Sequence, residues 1–179
     1  YTFPCVKCGE PGDVWDPHLY EEEEPMDIPT GPALVDRARQ IATMAHKGQM
    51  YGRTKKPYTY HLEIVARYLE RRYPDDYELQ AAGWLHDSVE DDKLTFDLIE
   101  SQCGTRVKNI VLVVTHVQDV PYPLYIATCL ADYDGCRVKW ADMEHNSRGQ
   151  TDHPKYGPFL PVLRKAVITH EARLRGERT

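Results

Sequence analysis

Apolar residues recur at helical spacing along most of the chain from residue 32 onward. The first stretch has its apolar face at Leu34, Ala38, Ile41, Ala42 and Ala45. Pro32 suits the first turn of this helix, because an amide at that position has no partner inside a helix. The second stretch has its apolar face at Leu62, Val65, Ala66 and Leu69. It predicts a second helix from about Thr59 to Tyr73.

The pattern continues through the rest of the chain. A third helix is expected after Pro74 and should contain the stretch WLHDSVEDD at residues 84–92. Thr95 and Gly104 suit the start and the end of a fourth helix. The β-branched run 107–117 fits either a strand or a helix that begins with a Thr105 cap, and we favour the helix because no partner strand is apparent. With further helices expected at 123–131, 136–147 and 160–173, the class is all-α.

Residues 1–31 differ from the rest of the chain. They contain five prolines and the acidic run EEEE, which predicts an irregular N-terminal arm before a single domain at 32–179. Cys5 and Cys8 in CVKCGE resemble half of a zinc-binding knuckle, with His18 near enough in sequence to add a third ligand. The alternative is a pair of free thiols.

Charge and composition exclude several classes of protein. The net charge is −6, but residues 1–30 hold one Lys and eight acidic residues, so the remainder is about neutral. No basic stripe indicates binding to nucleic acid, and no basic surface would draw the chain to an anionic membrane. The longest apolar run, Ile110–Val114, is too short to cross a bilayer. The odd number of cysteines favours a reducing compartment, and we expect a cytoplasmic protein. The charge is also compatible with a small anionic ligand in a local pocket.

The acidic stretch WLHDSVEDD carries the candidate chemistry. If it is helical, His86 and Glu90 form one row and Asp87 and Asp91 a neighbouring row. Burying several such groups is costly unless something compensates their charge, and a cation would do so. The competing interpretation is a solvated helix surface.

A complete metal site needs further ligands, which His61 and Asp142 can supply from other segments. Imidazole and carboxylate ligands suit a divalent ion such as Mn, Fe, Co or Zn, which makes hydroxide available near neutral pH. Glu90 and Asp91 are then placed to orient or deprotonate the water, and Asn146 follows Asp142 by four residues on the same face. The alternatives are a core histidine at His61 and a helix cap at Asp142.

Five motifs resemble the hydrolase domain of RelA/SpoT-type enzymes, above all its small single-domain branch. They are AHKGQ, PYTYHLEIVARYL, AAGWLHDSVEDD, TFDLIESQCGTRVKNIVLVVTHV and VKWADMEHNSRG, within residues 33–149. The resemblance implies an HD-domain helical bundle that uses Mn²⁺ to remove pyrophosphate from the 3′ position of (p)ppGpp. By match of motif, the implied metal ligands are His61, His86, Asp87 and Asp142. Glu90 and Asp91 become the implied catalytic pair, with Asn146 on water or substrate.

The chain also departs from the family pattern. Tyr51 stands where a basic residue usually helps to hold guanine, and Leu62 where a proline usually follows the histidine. No Lys or Arg occurs between Lys108 and Arg137. The candidate substrate contacts are Lys47, Tyr51, Arg53 and Lys139, with Lys55 and Lys56 in the same basic loop as Arg53. Two alternatives stay open: hydrolysis of another nucleotide, such as a dNTP, NADPH or a nucleoside monophosphate, and a nucleotide-binding regulator without turnover.

Overall fold

The computed structural model describes residues 27–52, 55–147 and 153–177. These residues form eight α-helices: α1 (Pro32–Ala45), α2 (Thr59–Arg72), α3 (Tyr77–Leu85), α4 (Phe96–Cys103), α5 (Thr105–Val114), α6 (Tyr122–Ala131), α7 (Tyr133–Ser147) and α8 (Leu160–Leu174). Within the described ranges, pairing between extended segments is limited to an isolated antiparallel bridge from Met50 to Pro57. The all-α prediction is therefore confirmed.

Local capping explains where α4 and α5 begin. The Thr95 side chain accepts a hydrogen bond of 3.2 Å from the Leu98 amide, as expected for an N-cap. The prediction of a Thr105 cap is wrong, because Thr105 is already the first helical residue and Gly104 precedes it. Gly104 has a φ of 92°, which a residue with a side chain rarely adopts. The helical interpretation of the β-branched run is correct as far as Val114.

The third helix is shorter than its sequence pattern indicates. It ends at Leu85, and residues 86–92 form turns, so the prediction of two helical rows through Asp91 is wrong. The amides of Lys93 and Leu94 both donate to the Ser88 carbonyl, at 2.9 and 3.0 Å, which folds the chain back on itself. A helix-like bond of 2.9 Å from the Asp91 amide to the Asp87 carbonyl persists inside this turn.

Helices α3 and α7 are buried on most of their circumference and place the site at the centre of the fold. Two apolar clusters meet at α7: one is formed mainly by α1–α5, the other by α6, α7 and α8. Helices α2 and α3 pack closely at Gly83, where an added Cβ would lie 3.2 Å from the Ala66 Cα and 2.7 Å from the Leu69 Cδ1. This close approach brings His61 on α2 next to His86.

The structure gives partial answers on the remaining predictions about organisation. None of the described helices combines the length and apolar character needed to cross a membrane. Cys103, Cys129 and Cys136 are buried free thiols. The predicted irregular arm and the Cys5–Cys8 pair fall on residues 1–26, outside the described residues. The division of the chain near residue 31 stays a prediction.

Candidate metal and catalytic site

Four side chains predicted to bind a metal converge from three separate segments. His61 lies on α2, His86 and Asp87 lie on the turn after α3, and Asp142 lies on α7. The two imidazole Nε2 atoms are 3.2 Å apart. Asp87 Oδ2 lies 3.3 Å from His61 Nε2 and 3.0 Å from His86 Nε2. Asp142 Oδ1 lies 3.3 Å and 3.8 Å from the same two nitrogens.

This arrangement fits a cation. The Nδ1 of His86 donates to the Gly83 carbonyl at 2.9 Å, so a neutral His86 ring presents a lone pair at Nε2. That lone pair faces the His61 Nε2 and the carboxylate oxygens. Ligands bonded at about 2.1 Å to one ion are separated from their neighbours by roughly 3.0–3.4 Å, close to most of these distances. His61, His86 and Asp142 are all buried, and their ligand atoms lie within 4.8 Å of one another.

The electrostatics of the site also favour a bound cation. Burial opposes a charged His86, but the carboxylates of Asp87 and Asp142 outweigh it and raise the pKa of His86 to about 10. The pKa of His61 is also raised against the effect of burial, through hydrogen bonds to Asp142 and Asp87. Positive charge is therefore favoured at this point, and a divalent ion would compete with protons for the same nitrogen lone pairs.

The two carboxylates of the predicted metal site are each bonded to a further side chain. The Tyr58 hydroxyl donates to Asp87 Oδ2 at 2.6 Å. The Lys139 ammonium donates to Asp142 Oδ2 at 2.7 Å, and the Asn146 amide donates to Asp142 Oδ1. Burial opposes both charges, yet each charge stabilises the other, so the pKa of Lys139 lies well above its ordinary value and that of Asp142 well below. Lys139 is only 8% exposed, and its ammonium contacts Asp142 rather than facing solvent as predicted for a substrate contact.

The predicted catalytic pair lies on the turn, and each carboxylate has its own partner. The exposed Glu90 accepts a hydrogen bond of 2.9 Å from the His116 amide through Oε2. Asp91 Oδ2 accepts a bond of 2.6 Å from the Gln49 side-chain amide. The other end of that amide contacts His46 Nδ1 at 2.8 Å, which fixes its orientation. The catalytic roles of Glu90 and Asp91 stay predictions.

The predicted substrate contacts are spread around the site. Tyr51 stacks on His61 with ring centroids 5.1 Å apart, and its hydroxyl donates to Asn146 Oδ1 at 2.8 Å. It lines a cleft of about 620 Å³ between α2 and α7. Lys47 is exposed on the turn after α1, whereas Arg53 lies outside the described residues.

A further basic residue near the site was missed by the sequence reasoning. The Lys155 ammonium lies 5.0 Å from the ring centroid of Tyr122 and 5.2 Å from that of Tyr156. Burial raises the pKa of Tyr156, and the charges of Asp142 and Asp87 raise it further, which indicates that Tyr156 lies near these two carboxylates. The buried Tyr122 hydroxyl has no hydrogen-bond partner among the described residues. No signal in the sequence tied Lys155 to the site, because it lies beyond the last motif.

Comparison with known proteins identifies relatives, although no family model matches the chain. The chloroplastic RSH1 protein of Oryza sativa subsp. japonica, named for GTP diphosphokinase activity, is 36% identical over 149 residues, covering 73% of this chain and 16% of that protein. The guanosine-3′,5′-bis(diphosphate) 3′-pyrophosphohydrolase MESH1 of Xenopus tropicalis is 42% identical over 92 residues, covering 50% of this chain and 51% of that protein. The chain thus spans about half the length of the frog relative and about a sixth of the rice relative.

A solved structure supports the likeness in fold. The structure of a metazoan orthologue of SpoT that hydrolyses ppGpp matches with a TM-score of 0.60 and 21% sequence identity. The match covers 79% of this chain and 86% of that chain. At this identity the match bears on architecture, and it agrees with the all-helical fold described above.

Proposed function

Because this chain belongs to the RelA/SpoT-type family of HD-domain proteins, we propose that it removes the 3′-pyrophosphate of (p)ppGpp by hydrolysis. The observation that carries the proposal is the convergence of two buried imidazoles and two carboxylates beside the Glu90–Asp91 pair. Such a set of ligands suits metal-assisted hydrolysis of a phosphate ester. The named activity of the Xenopus tropicalis relative supports the same reaction.

The metal site comprises His61, His86, Asp87 and Asp142, and we propose Mn²⁺ as its occupant. Mixed imidazole and carboxylate ligands also accommodate Fe, Co or Zn. When bound, a divalent ion there supplies a more acidic water and neutralises charge on the phosphate oxygens. The partners of the carboxylates, Tyr58 and Lys139, keep the ligands ionised and in place.

Two carboxylates of the protein act on the attacking water. Glu90 takes the proton from the attacking water, because its carboxylate is exposed to solvent and oriented by the His116 amide. Asp91, held by Gln49, orients that water. The water oxygen bonds to the phosphorus attached to the nucleoside 3′ oxygen as the bond between that phosphorus and the 3′ oxygen breaks. The proton taken up by Glu90 passes to the 3′ oxygen, and pyrophosphate leaves.

Recognition of the substrate falls to residues around the ligands. We assign Lys155 to the pyrophosphate, since it is an exposed cation beside the rings of Tyr122 and Tyr156. The Tyr122 hydroxyl, for which the described residues provide no hydrogen-bond partner, can donate to the same oxygens. Tyr51 flanks the metal ligands and offers a ring face to the nucleoside, with Lys47 and Arg53 as further candidates.

The test is a panel of nucleotides incubated with the Mn²⁺-loaded protein, with ppGpp, dATP, dGTP and NADPH as substrates. Release of pyrophosphate from ppGpp is expected, and none from a matched Asp87→Ala variant. Cleavage of another nucleotide with ppGpp intact would overturn the substrate assignment, an outcome that Tyr51 in place of a basic residue makes worth testing. Nucleotide binding without any turnover would favour the regulatory alternative.

A further inference from the structure

A third imidazole lies directly behind one of the metal ligands. His145 Nδ1 is 2.6 Å from His61 Nδ1, and the two ring centroids are 4.9 Å apart. His145 follows Asp142 by three residues on α7, so the same helix face supplies a ligand and a contact to another ligand. Sequence reasoning did not single out His145, because the contact depends on how α2 packs against α7.

With a cation bound by His61 Nε2, the contact determines which ring carries the hydrogen. Two nitrogens this close require one N–H donor and one lone pair. Since His61 Nε2 faces His86 Nε2 and the carboxylates, it must present a lone pair to bind a cation, which leaves the hydrogen on His61 Nδ1. His61 therefore donates and His145 accepts. The Gly83 carbonyl accepts the Nδ1 hydrogen of His86 in the same way.

Aromatic packing keeps His145 in this orientation. The Tyr51 ring stacks on His145 with centroids 5.2 Å apart and on His61 with centroids 5.1 Å apart. Tyr60 on α2 meets His145 edge to face at 5.7 Å. Little freedom remains for the ring to turn its Nδ1 lone pair away from His61.

We propose that His145 is a positioning residue that orients His61 and selects the tautomer with which His61 binds the metal. The proposal rests on the metal role of His61 in the proposed function, and it does not depend on which nucleotide is cleaved. Partners of this kind change metal affinity by about 10- to 100-fold when they are removed.

The experiment is a calorimetric titration of the purified chain with Mn²⁺ alone. His145→Phe keeps an aromatic ring and removes the acceptor, whereas His145→Asn places an amide oxygen near the position of Nδ1. We expect the Phe variant to bind Mn²⁺ about 10- to 100-fold more weakly and the Asn variant to recover most of that loss. His170→Phe is the matched control, because His170 also stacks on a tyrosine, Tyr133, but lies on α8.

Three outcomes would overturn the proposal: unchanged affinity in His145→Phe, equal weakening in both folded variants, or no binding of Mn²⁺ by the wild type. The last would overturn the metal site of the proposed function as well, whereas the first two would leave it standing. Nitrogen NMR of the Zn²⁺-loaded wild type adds a test that needs no variant. His61 should carry its hydrogen on Nδ1, and a hydrogen on Nε2 would contradict the assignment.

Discussion

The buried ammonium of Lys139 lies 2.7 Å from the carboxylate of Asp142, one helical turn away on α7. Its removal would leave a buried carboxylate without its cation. We expect Lys139→Met to lower the free energy of unfolding by about 3–5 kcal/mol in metal-free protein. Saturating Mn²⁺ should reduce the difference in unfolding free energy between Lys139→Met and wild type, since the bound ion stabilises the folded state and neutralises Asp142. Denaturant titrations with and without Mn²⁺ measure both effects, and the exposed Lys165→Met serves as control.

Mutation of a proposed metal ligand and mutation of the proposed proton acceptor should have different effects on Mn²⁺ binding. Asp87→Ala removes a carboxylate that contacts both imidazoles, so Mn²⁺ binding and hydrolysis should disappear together. Glu90→Gln should keep Mn²⁺ affinity and lower kcat by roughly 100-fold or more, because an amide cannot accept the proton. Calorimetry measures Mn²⁺ binding and steady-state kinetics measure turnover on the same preparations, which tests this division of roles between Asp87 and Glu90. The exposed Asp119→Asn serves as control. Equal loss of metal in both variants would contradict it.

Lys155 gives a prediction that concerns the substrate alone. Lys155→Met should raise KM by about ten-fold, in line with the ~1.5 kcal/mol of a charge-assisted hydrogen bond. Mn²⁺ affinity should not change, because Lys155 contacts the rings of Tyr122 and Tyr156 rather than a ligand. Inhibition by the product pyrophosphate should weaken in parallel. An unaltered KM and unaltered inhibition would remove Lys155 from the substrate site, and Lys165→Met again provides the comparison.

The fold was predictable because its signals are local. The predicted second helix, from about Thr59 to Tyr73, differs from the observed Thr59–Arg72 by one residue. The agreement is close because the signals for this helix, its apolar spacing and the basic residues of its last turn, all belong to the helix itself. The resemblance to the RelA/SpoT family is confirmed by relatives that are 36% and 42% identical over the aligned residues. The predicted ligands converge as expected, because such a set of buried charges has few other uses.

The details around the ligands were not predictable for a physical reason. The end of α3 at Leu85 depends on bonds from Lys93 and Leu94 back to Ser88, which no helical periodicity encodes. The contacts of Tyr58 with Asp87 and of His145 with His61 likewise join separate segments whose proximity is set by tertiary packing. Lys139 was predicted near the substrate, and only its burial reveals that it faces Asp142.

The contact between α2 and α3 at Gly83 should matter for both stability and metal binding. A methyl group there would lie 3.2 Å from the Ala66 Cα, a backbone atom that cannot move alone, so the helices must separate. We expect Gly83→Ala to lower the free energy of unfolding by about 1–3 kcal/mol. It should also weaken Mn²⁺ binding, because His61 and His86 lie on the two sides of this contact. Thermal unfolding and Mn²⁺ titration test these effects, and full retention of affinity would show that the spacing of the helices is not critical.

Acid should destabilise the protein partly through Asp76, at the start of α3. Its carboxylate accepts hydrogen bonds of 2.8 and 3.0 Å from Arg106, lies 3.1 Å from Arg137 and caps the Leu79 amide. Burial opposes ionisation, but these partners outweigh it and lower the pKa of Asp76 below its ordinary value of 3.8. The folded state thus binds this proton less readily than the unfolded state, so the stabilisation is complete above that ordinary pKa and is lost as the pH falls through the lowered value.

Asp76→Asn should remove this pH-dependent contribution. The variant should be less stable than wild type at neutral pH, and the difference should shrink as the pH falls from about 4 towards 2. Denaturant titrations across this range measure how the unfolding free energy changes with pH. A variant of the exposed neighbour, Asp75→Asn, should show the same pH dependence as wild type. If the difference between Asp76→Asn and wild type stayed constant down to the lowest pH, the stabilisation by Asp76 would not arise from its ionised carboxylate.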